Sequence, residues 1–559
     1  MTACRIFANL CGWLCLIWAS EWAGAAEPIP TVPANSMVEW SVVSKKDHAD
    51  PFNEVQLDFV VTTPNHQTVR VPGFWAGGRN WRGRYSSATL GVHGFRTECS
   101  DPSDAGLQEA EGSVEVTPYR GDNRLLLHGG LRVAADHRHF AYQDGTPFFW
   151  LGDTWWMGLC ARLKWPEDFQ TLAADRNAKG FNVIQIVAGL YPDMPAFDER
   201  GANEAGFPWE KDYRRIRPEY FDAADRRIFY LVDQGFVPCV VGAWGYHLPW
   251  LGANKMKQHW RYLVARWGAL PVVWCAAGEG TMPFYLSKDP SAESALQKRE
   301  WTEVIRSIHA TDPFHRLVTI HPPSRARDSV TDVSVLDFDM HQSGHGEPAF
   351  RHGALALGAY RSEPVMPVIS GEARYEALEI RPKLDAADAR QAFWAHTICS
   401  GCAGHTYGAN GIWQVNQRDR PYGASPGGNN WGTTPWDDAM RLPGSSQLAA
   451  AKRLLESITW YKLEPHPEWV AWSGQADNKP VSPLCAGAGD ELRLLYLLEP
   501  RPVALNGLRA GMFYHLEWFN PVTGVRQPAS RLIPDAQGNA VVTPPADETH
   551  DWAAVITSP

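Results

Sequence analysis

The feature that most constrains the fold is an alternation of short apolar runs with helical segments through the middle of the chain. Such runs are typical of strands that are buried on both faces of a parallel sheet. The predicted strands are Phe148–Asp153, Phe181–Val187, Phe236–Val241, Val272–Ala277, Leu317–Ile320, Val335–Met340, Val365–Ile369 and one within Gly401–Trp413. The predicted helices are Pro166–Lys179, Glu219–Gln234, Asn254–Trp267, Ser291–Ala310, Asp385–Thr397 and Ser446–Ser457. Eight strands alternating with helices predict a central (β/α)₈ TIM barrel.

A doubly wound sheet is the alternative for an alternating pattern of this kind. That fold binds its cofactor at a G-x-G-x-x-G turn, and no strand here is followed by one. The barrel is therefore preferred, with boundaries at about residues 130–460.

Both flanks of the barrel have a different periodicity. Residues 33–125 contain short alternating runs separated by Gly and Pro, such as Val55–Val61 and Thr68–Val71. Residues 465–559 lose helical periodicity and contain Leu492–Leu498, Tyr514–Phe519 and Ala540–Val542. These patterns predict an N-terminal β-sandwich and a C-terminal β-sandwich module. The fold class is therefore multidomain, α/β plus β.

The first residues predict export. Arg5 precedes an uncharged stretch, and Ala23–Ala26 supply a small-residue cleavage pattern, which together indicate a signal peptide over residues 1–26. An uncleaved anchor is the alternative. The mature protein is expected to be periplasmic or extracellular, with no membrane association. The net charge of −10 argues against a nucleic-acid partner or an anionic membrane surface.

Removal of residues 1–26 leaves seven cysteines, an odd number that cannot all pair. Cys239 and Cys275 lie in apolar strands and are predicted to be buried thiols. Cys399 and Cys402 are interpreted as core packing or one local disulfide, because no second C-x-x-C and no suitably spaced histidine completes a zinc site. Neither H-E-x-x-H nor a facial triad is present, so neither a metal nor a cofactor is predicted.

Two strands end in a Gly-Glu pair. Val272–Ala277 leads into Gly278-Glu279-Gly280, and Val365–Ile369 leads into Gly371-Glu372. The glycines are expected to let the backbone turn sharply, which places each carboxylate at a strand tip on the active-site rim. Glycosidic cleavage requires an acid for the leaving oxygen and a carboxylate for the anomeric carbon. We therefore predict Glu279 as the acid/base and Glu372 as the nucleophile.

Other strand ends carry polar and aromatic groups that suit a polyhydroxylated ligand. The predicted substrate-binding residues are Asp153, Trp155, Trp156, Trp244, His321, His341, His405 and Tyr407. The predicted partner is an oligo- or polysaccharide, and the chain contains 26 tryptophans, some of which could stack on sugar rings. The oligomeric state stays open.

Four motifs together resemble the apiosidase-like glycoside hydrolase family over residues 130–460: Phe149–Trp156, Val273-Trp274 with Gly278-Glu279, Gly371-Glu372 with Tyr375-Glu376, and Gly404–Gly408. The placement of acids on strands four and seven resembles the retaining clan of barrel glycosidases, which implies retention. Residues 71–85 resemble the N-terminal sandwich of secreted members, and residues 460–463 and 518–524 resemble a β-module with a collagen-binding label. The resemblance implies activity on plant cell-wall side chains, without specifying the sugar.

Two hypotheses follow. The first is an exported glycoside hydrolase that cleaves plant or microbial polysaccharide with retention. The second is a non-catalytic carbohydrate-binding protein on a barrel scaffold. The presence of both carboxylates favours the first.

Overall fold

The computed structural model describes residues 15–16, 29–474, 482–546 and 549–559. The predicted signal peptide lies outside the described residues, apart from Cys15–Leu16. None of the described helices is both long enough and apolar enough to span a bilayer.

An N-terminal module, residues 29–128 together with Cys15–Leu16, consists of two sheets packed face to face, as predicted. Trp40 of one sheet stacks on Phe59 of the other at 5.9 Å between ring centroids. The strand orders are β1-β3-β7-β6 and β2-β9-β8-β4-β5. The elements are β1 Cys15–Leu16, β2 Thr31–Pro33, β3 Val38–Val43, α1 Pro51–Glu54, β4 Leu57–Thr62, β5 Thr68–Pro72, β6 Phe74–Trp75, β7 Asn80–Tyr85, β8 Gly91–Cys99, β9 Glu111–Thr117 and α2 Arg124–His128.

A small antiparallel sheet connects this module to the barrel. Its strands are β10 Leu131–Val133, β11 Phe140–Tyr142 and β12 Pro147–Phe148. Phe140 packs edge-on against Phe338 and also contacts Trp150, which begins the first barrel strand. The small sheet therefore covers the end of the barrel at which the strands begin.

The barrel is a sheet of eight parallel strands surrounded by helices, and the predicted fold class is confirmed. Most of its strand residues are buried because helices cover the outside of the sheet and side chains fill its interior. The strands are β13 Trp150–Thr154, β14 Val183–Val187, β15 Val237–Val241, β16 Val273–Cys275, β17 Val318–Thr319, β18 Asp339–Gln342, β19 Val368–Glu372 and β20 Gly404–Tyr407. The helices are α3 Glu167–Ala178, α4 Pro218–Asp233, α5 His247–Leu251, α6 Ala253–Trp267, α7 Pro290–Thr311, α8 Ala349–Tyr360, α9 Ala386–Cys399, α10 Trp436–Ala439 and α11 Pro443–Glu456.

The barrel is almost closed. Its strand order runs β17-β16-β15-β14-β13-β20-β19-β18, so the gap lies between β17 and β18. Individual hydrogen bonds span this gap: Thr319 Oγ1 donates to the Phe338 carbonyl at 2.9 Å, and the Asp337 N–H donates to the Val318 carbonyl at 2.9 Å. All eight strand ends therefore point to one rim.

The structure differs from the sequence prediction around the sixth strand. Residues Val333–Val335 form a 3₁₀ helix, and the strand begins only at Asp339 and continues to Gln342. The following helix α8 was not predicted. The other short 3₁₀ helices are Glu199–Gly201, Lys211–Tyr213, Ala326–Asp328, Trp460–Lys462 and Pro467–Trp469.

A C-terminal module, residues 464–559, packs against α9. Arg390 of this helix pairs with Asp551 through Nε–Oδ2 at 2.9 Å, and Trp394 stacks on Tyr496 at 5.5 Å. Its sheet orders are β21-β23-β24-β29-β26-β27 and β22-β25-β28. The strands are β21 Glu464–Pro465, β22 Val470–Trp472, β23 Leu484–Ala488, β24 Leu492–Leu497, β25 Val503–Leu505, β26 Tyr514–Phe519, β27 Ser530–Leu532, β28 Ala540–Val542 and β29 Trp552–Thr557.

Cys239 and Cys275 are buried thiols, as predicted. Cys399 and Cys402 are also buried free thiols, so core packing is the alternative that the structure supports.

Candidate active site

Glu279 lies just beyond the end of β16, in a segment that pairs with the residues following β15, the third strand of the barrel. The Gly278 N–H donates to the Ala243 carbonyl at 2.9 Å, and the Gly245 N–H donates to the Gly278 carbonyl at 2.7 Å. The glycines were expected to supply the sharp turn, but Glu279 itself has the left-handed φ of 40°. A Cβ at Gly278 would lie 2.1 Å from the Trp244 ring. Gly278 is therefore required for close packing, and the backbone strain is at Glu279.

Glu372 is the last residue of β19, and a bulge in β19 places it beside Gln342 of β18. The register between these strands shifts between His341 and Gln342, so Gln342 pairs with Glu372 where regular pairing would have put Gly371. Gly371 is therefore the extra residue, and a bulge re-aims the side chain that follows it. The Glu372 carboxylate is thereby brought to Gln342.

The Gln342 amide connects the two acids. Its Nε2 donates to Glu279 Oε1 at 3.0 Å and to Glu372 Oε1 at 3.1 Å. The sum of these distances limits the separation of the two oxygens to 6.1 Å. Because the two N–H bonds of an amide diverge by about 120°, well-aligned acceptors would lie about 5.3 Å apart.

Two histidines also contact the Glu372 carboxylate. His321 Nδ1 accepts from the Glu279 backbone N–H at 3.3 Å, so its proton is on Nε2, which lies 3.2 Å from Glu372 Oε2. His345 Nδ1 donates to the Ala373 carbonyl at 2.7 Å, and its Nε2 lies 2.9 Å from Glu372 Oε1. Both nitrogens of His345 face acceptors, which favours the imidazolium.

These contacts determine the charge of Glu372. Burial alone would raise its pKa, but the hydrogen bonds of His321 and His345 and the charge of His345 outweigh burial and hold the pKa well below its usual value. Burial opposes the charge of His345, yet its bond to Glu372 raises the pKa of the imidazole. Each partner of this pair therefore favours the charged form of the other.

The pKa of Glu279 is shifted in the opposite direction. Burial, followed by the charge of Glu372, raises its pKa to about 7, although the Gln342 hydrogen bond works against that rise. Its Oε2 accepts from Trp244 Nε1 at 3.2 Å. One site thus contains a carboxyl that keeps its proton near neutral pH and a second that is ionised.

Both acids line a cavity of about 250 Å³ at the rim. Its walls combine aromatic side chains with polar and charged ones in equal number. The lining residues are Trp156, Pro192, Asp193, Trp244, Glu279, Met282, Tyr285, Gln342, His345, Glu372, Tyr375, Trp413, Asn429 and Trp431.

Three of the predicted substrate-binding residues lie at this cavity. Trp156 and Trp244 line it and pack edge-to-face at 5.5 Å. His321 is fully buried beneath both rings, where it contacts the two acids.

The other five are buried away from the lining. Asp153 pairs with Arg176 of α3 at 2.6 Å and accepts from Trp155 Nε1 at 2.8 Å. His341 Nδ1 lies 3.3 Å from His396 of α9. His405 packs on Phe393 of α9, and the Tyr407 hydroxyl donates to Glu376 at 2.6 Å. The structure therefore directs Asp153, Trp155, His341, His405 and Tyr407 towards the surrounding helices and loops, and their predicted contact with substrate has no support from this geometry.

The sequence prediction did not select Gln342, His345, Asp193 or Tyr285. Gln342 and His345 belong to the polar segment that ends strand six, which was the available signal for them. Asp193 and Tyr285 lie in loops after strands two and four and have no such signal.

Comparisons with known proteins identify the family of the central domain. The model for the family "Apiosidase-like, catalytic domain" matches residues 134–462, more than half of the chain. A domain of unknown function, DUF5060, matches residues 31–100. No curated protein matches the chain.

Solved structures with similar folds have low sequence identity. A protein described as "Glycoside hydrolase" is 21% identical, with a TM-score of 0.63, over 77% of this chain and 97% of its own. A glycoside hydrolase family 5 protein from Bacteroides vulgatus ATCC 8482 is 20% identical, with a TM-score of 0.64, over 77% and 93%. A second protein from that organism is 16% identical, with a TM-score of 0.68, over 95% and 100%. At these identities the likeness establishes the fold alone.

Proposed function

This chain belongs to the apiosidase-like family of catalytic domains, and from that premise we propose that it is a retaining glycoside hydrolase with Glu279 as acid/base and Glu372 as nucleophile. The observation that carries the proposal is that two carboxyl groups lie in one cavity and are bridged by the Gln342 amide. Glu279 has a pKa of about 7, and Glu372 stays ionised far below its usual pKa. A proton donor beside an anionic nucleophile is the arrangement that glycoside cleavage requires.

The separation of the acids supports retention. Retaining enzymes hold their carboxyl groups about 5–5.5 Å apart, and inverting enzymes hold them about 6.5–9.5 Å apart to admit a water molecule. The oxygens bridged by Gln342 are at most 6.1 Å apart. This spacing favours direct attack by Glu372 on the anomeric carbon.

The first step of the proposed reaction transfers the proton of Glu279 to the glycosidic oxygen while Glu372 forms a bond to the anomeric carbon. The C–O bond to the leaving group breaks, and a glycosyl ester remains on Glu372. Esterification removes the negative charge of Glu372, which is one of the causes that raise the pKa of Glu279. The pKa of Glu279 therefore falls, so Glu279 stays deprotonated after its proton has been transferred and can accept a proton from the water that hydrolyses the ester.

The test of this proposal is the configuration of the first product. We expect the newly released anomer to retain the configuration of the substrate, as followed by ¹H NMR in the first minutes before mutarotation. An inverted first product would remove Glu372 from the nucleophile role. An absence of turnover on plant and microbial polysaccharides would favour the carbohydrate-binding alternative.

The rate is also expected to depend on pH in a specific way. Glu279 must be protonated for the first step, so kcat/KM should decrease as the pH rises through about 7. The acidic limb should lie well below the usual range of a glutamate, because Glu372 keeps its charge there. The measurement is kcat/KM against pH on a substrate with a poor leaving group.

A 2,4-dinitrophenyl glycoside is the control for the pH profile, because its leaving group departs without a proton. The basic limb should flatten for that substrate in the glycosylation step. A basic limb of equal size with both leaving groups would show that Glu279 is not the acid.

The substrate class and the cellular location are part of the same proposal. We propose plant or microbial polysaccharide as the substrate because aromatic side chains such as Trp156, Trp244, Trp413 and Trp431 line the cavity and offer flat faces to sugar rings. Export to the periplasm or the exterior is proposed from the sequence of residues 1–26.

A further inference from the structure

Asp193 is a third carboxyl group of the cavity, and the proposed reaction does not use it. It follows β14, is 5% exposed and accepts a hydrogen bond from the Tyr285 hydroxyl. Its backbone has a left-handed φ of 57°, a conformation that Asp tolerates better than most residues. The Tyr422 hydroxyl donates to the Asp193 carbonyl at 3.3 Å. The loop thus holds this side chain at the cavity wall.

Two other polar atoms of the lining have no hydrogen-bond partner among the described residues. They are Trp413 Nε1, on a side chain that is 6% exposed, and Gln342 Oε1. One is a donor and the other is an acceptor. A buried polar atom is costly unless a ligand or water satisfies it, and sugar hydroxyls both donate and accept. The cavity therefore presents a carboxylate, a neutral donor and a neutral acceptor to its ligand.

The charges of the lining exclude an anionic ligand. The lining residues include Asp193, Glu279 and Glu372 but neither lysine nor arginine. His345 is engaged by Glu372 and by the Ala373 carbonyl. Arg200, behind Asp193, is paired with Asp198 at 2.8 Å. The carboxylate of a uronic acid would therefore face like charges in the cavity, without a free cation among the described lining residues to compensate it.

We propose that Asp193, positioned by Tyr285, is the specificity-determining residue of this cavity: it accepts hydrogen bonds from the hydroxyls of a neutral sugar ring and excludes uronic acids. A volume of about 250 Å³ lies below the range of about 300–1,000 Å³ for drug-sized ligands, which suits a single ring. The inference rests on the proposed function and names its substrate class.

The experiment measures binding, which does not require turnover. Glucose and glucuronate, galactose and galacturonate, and mannose and mannuronate are titrated into the full-length protein by saturation-transfer NMR. We expect at least one neutral member to bind at least 10-fold more tightly than its uronate. Asp193→Asn should weaken the binding of that neutral sugar by about 10- to 100-fold and reduce the discrimination, because a charge-assisted hydrogen bond is replaced by a neutral one.

Glu199→Gln is the matched control, since Glu199 is an exposed acid on the same loop and the substitution changes charge equally. It should leave both affinities unchanged. Tyr285→Phe is a second variant that keeps the fold of the loop and should weaken neutral-sugar binding several-fold. If Asp193→Asn does not fold, Tyr285→Phe tests the proposal, with Glu199→Gln as its control.

The proposal would be overturned if a neutral sugar and its uronate bind with equal affinity, or if no neutral sugar binds. It would also be overturned if Asp193→Asn leaves the ratio of the two affinities unchanged. Selective binding without hydrolysis of the corresponding glycosides would defeat the proposed function and leave the role of Asp193 intact. Hydrolysis, together with an unchanged ratio of the two affinities in Asp193→Asn, would support the proposed function and defeat the role of Asp193.

Discussion

Glu372→Ala is expected to lower kcat by at least about 10⁴-fold on every substrate, because it removes the carboxylate that forms the bond to the anomeric carbon. A better leaving group should not compensate, since protonation is not the step that is lost. Added azide should restore part of the rate by attacking in place of Glu372. The glycosyl azide then has the inverted configuration, which ¹H NMR identifies.

The matched control is Glu363→Ala, because Glu363 is an exposed acid that precedes the same strand at the opposite end of the barrel. Its turnover should equal that of the wild type. The imidazole resonances of His345 provide a second measurement that does not depend on activity. Without Glu372, the partner that raises the pKa of His345 is gone, so these resonances should titrate at lower pH in a folded Glu372→Ala variant. Wild-type turnover in Glu372→Ala would contradict the assignment of Glu372 as the nucleophile.

The sequence predicted the barrel and its two acids because both depend on local pattern. Strands buried on both faces have continuous apolar runs, and Glu279 and Glu372 each follow such a run directly. The C-terminal ends of parallel strands meet at one rim, so the distance of these acids in sequence does not matter. The structure places both in one cavity, joined by Gln342.

The direction of side chains at the strand ends could not be predicted. Successive residues of a strand point to opposite faces, and in a barrel both faces are buried, so composition does not distinguish them. Asp153 and Tyr407 are as polar as active-site residues, yet they face Arg176 and Glu376. Their partners are distant in sequence, which is why the satisfied ion pair and hydrogen bond were not predicted.

The sixth strand shows a second limit. Three of its four observed residues, Asp339, His341 and Gln342, are polar. Asp339 is stabilised by a tertiary contact with Arg327 at 2.7 Å. The prediction therefore placed the strand too early, on the more apolar Val335–Met340. The bulge at Gly371, which brings Glu372 beside Gln342, is defined by the pairing of β19 with β18, and this register was not predicted.

Glu279→Ala is expected to have a milder and more selective effect. General acid catalysis contributes about 10²–10⁴-fold, so kcat/KM should fall by that factor on natural linkages. With a 2,4-dinitrophenyl leaving group, glycosylation should proceed nearly unchanged, because little protonation is needed. The glycosyl ester on Glu372 then accumulates, and the measurement is a burst of dinitrophenol followed by a slow steady state.

Azide separates the role of Glu279 from that of Glu372. In Glu279→Ala the space of the missing side chain admits a small anion, which attacks the ester without a general base and gives a glycosyl azide of retained configuration. Glu279→Gly is the companion variant: Gly accepts the φ of 40° without the cost of about 1–3 kcal/mol that other residues incur, so this variant should fold even if the alanine variant does not. Both variants should lose the basic limb near pH 7, because the group whose pKa is about 7 is gone. If Glu279→Ala instead gives the inverted glycosyl azide and Glu372→Ala the retained one, Glu279 would be the nucleophile and Glu372 the acid/base.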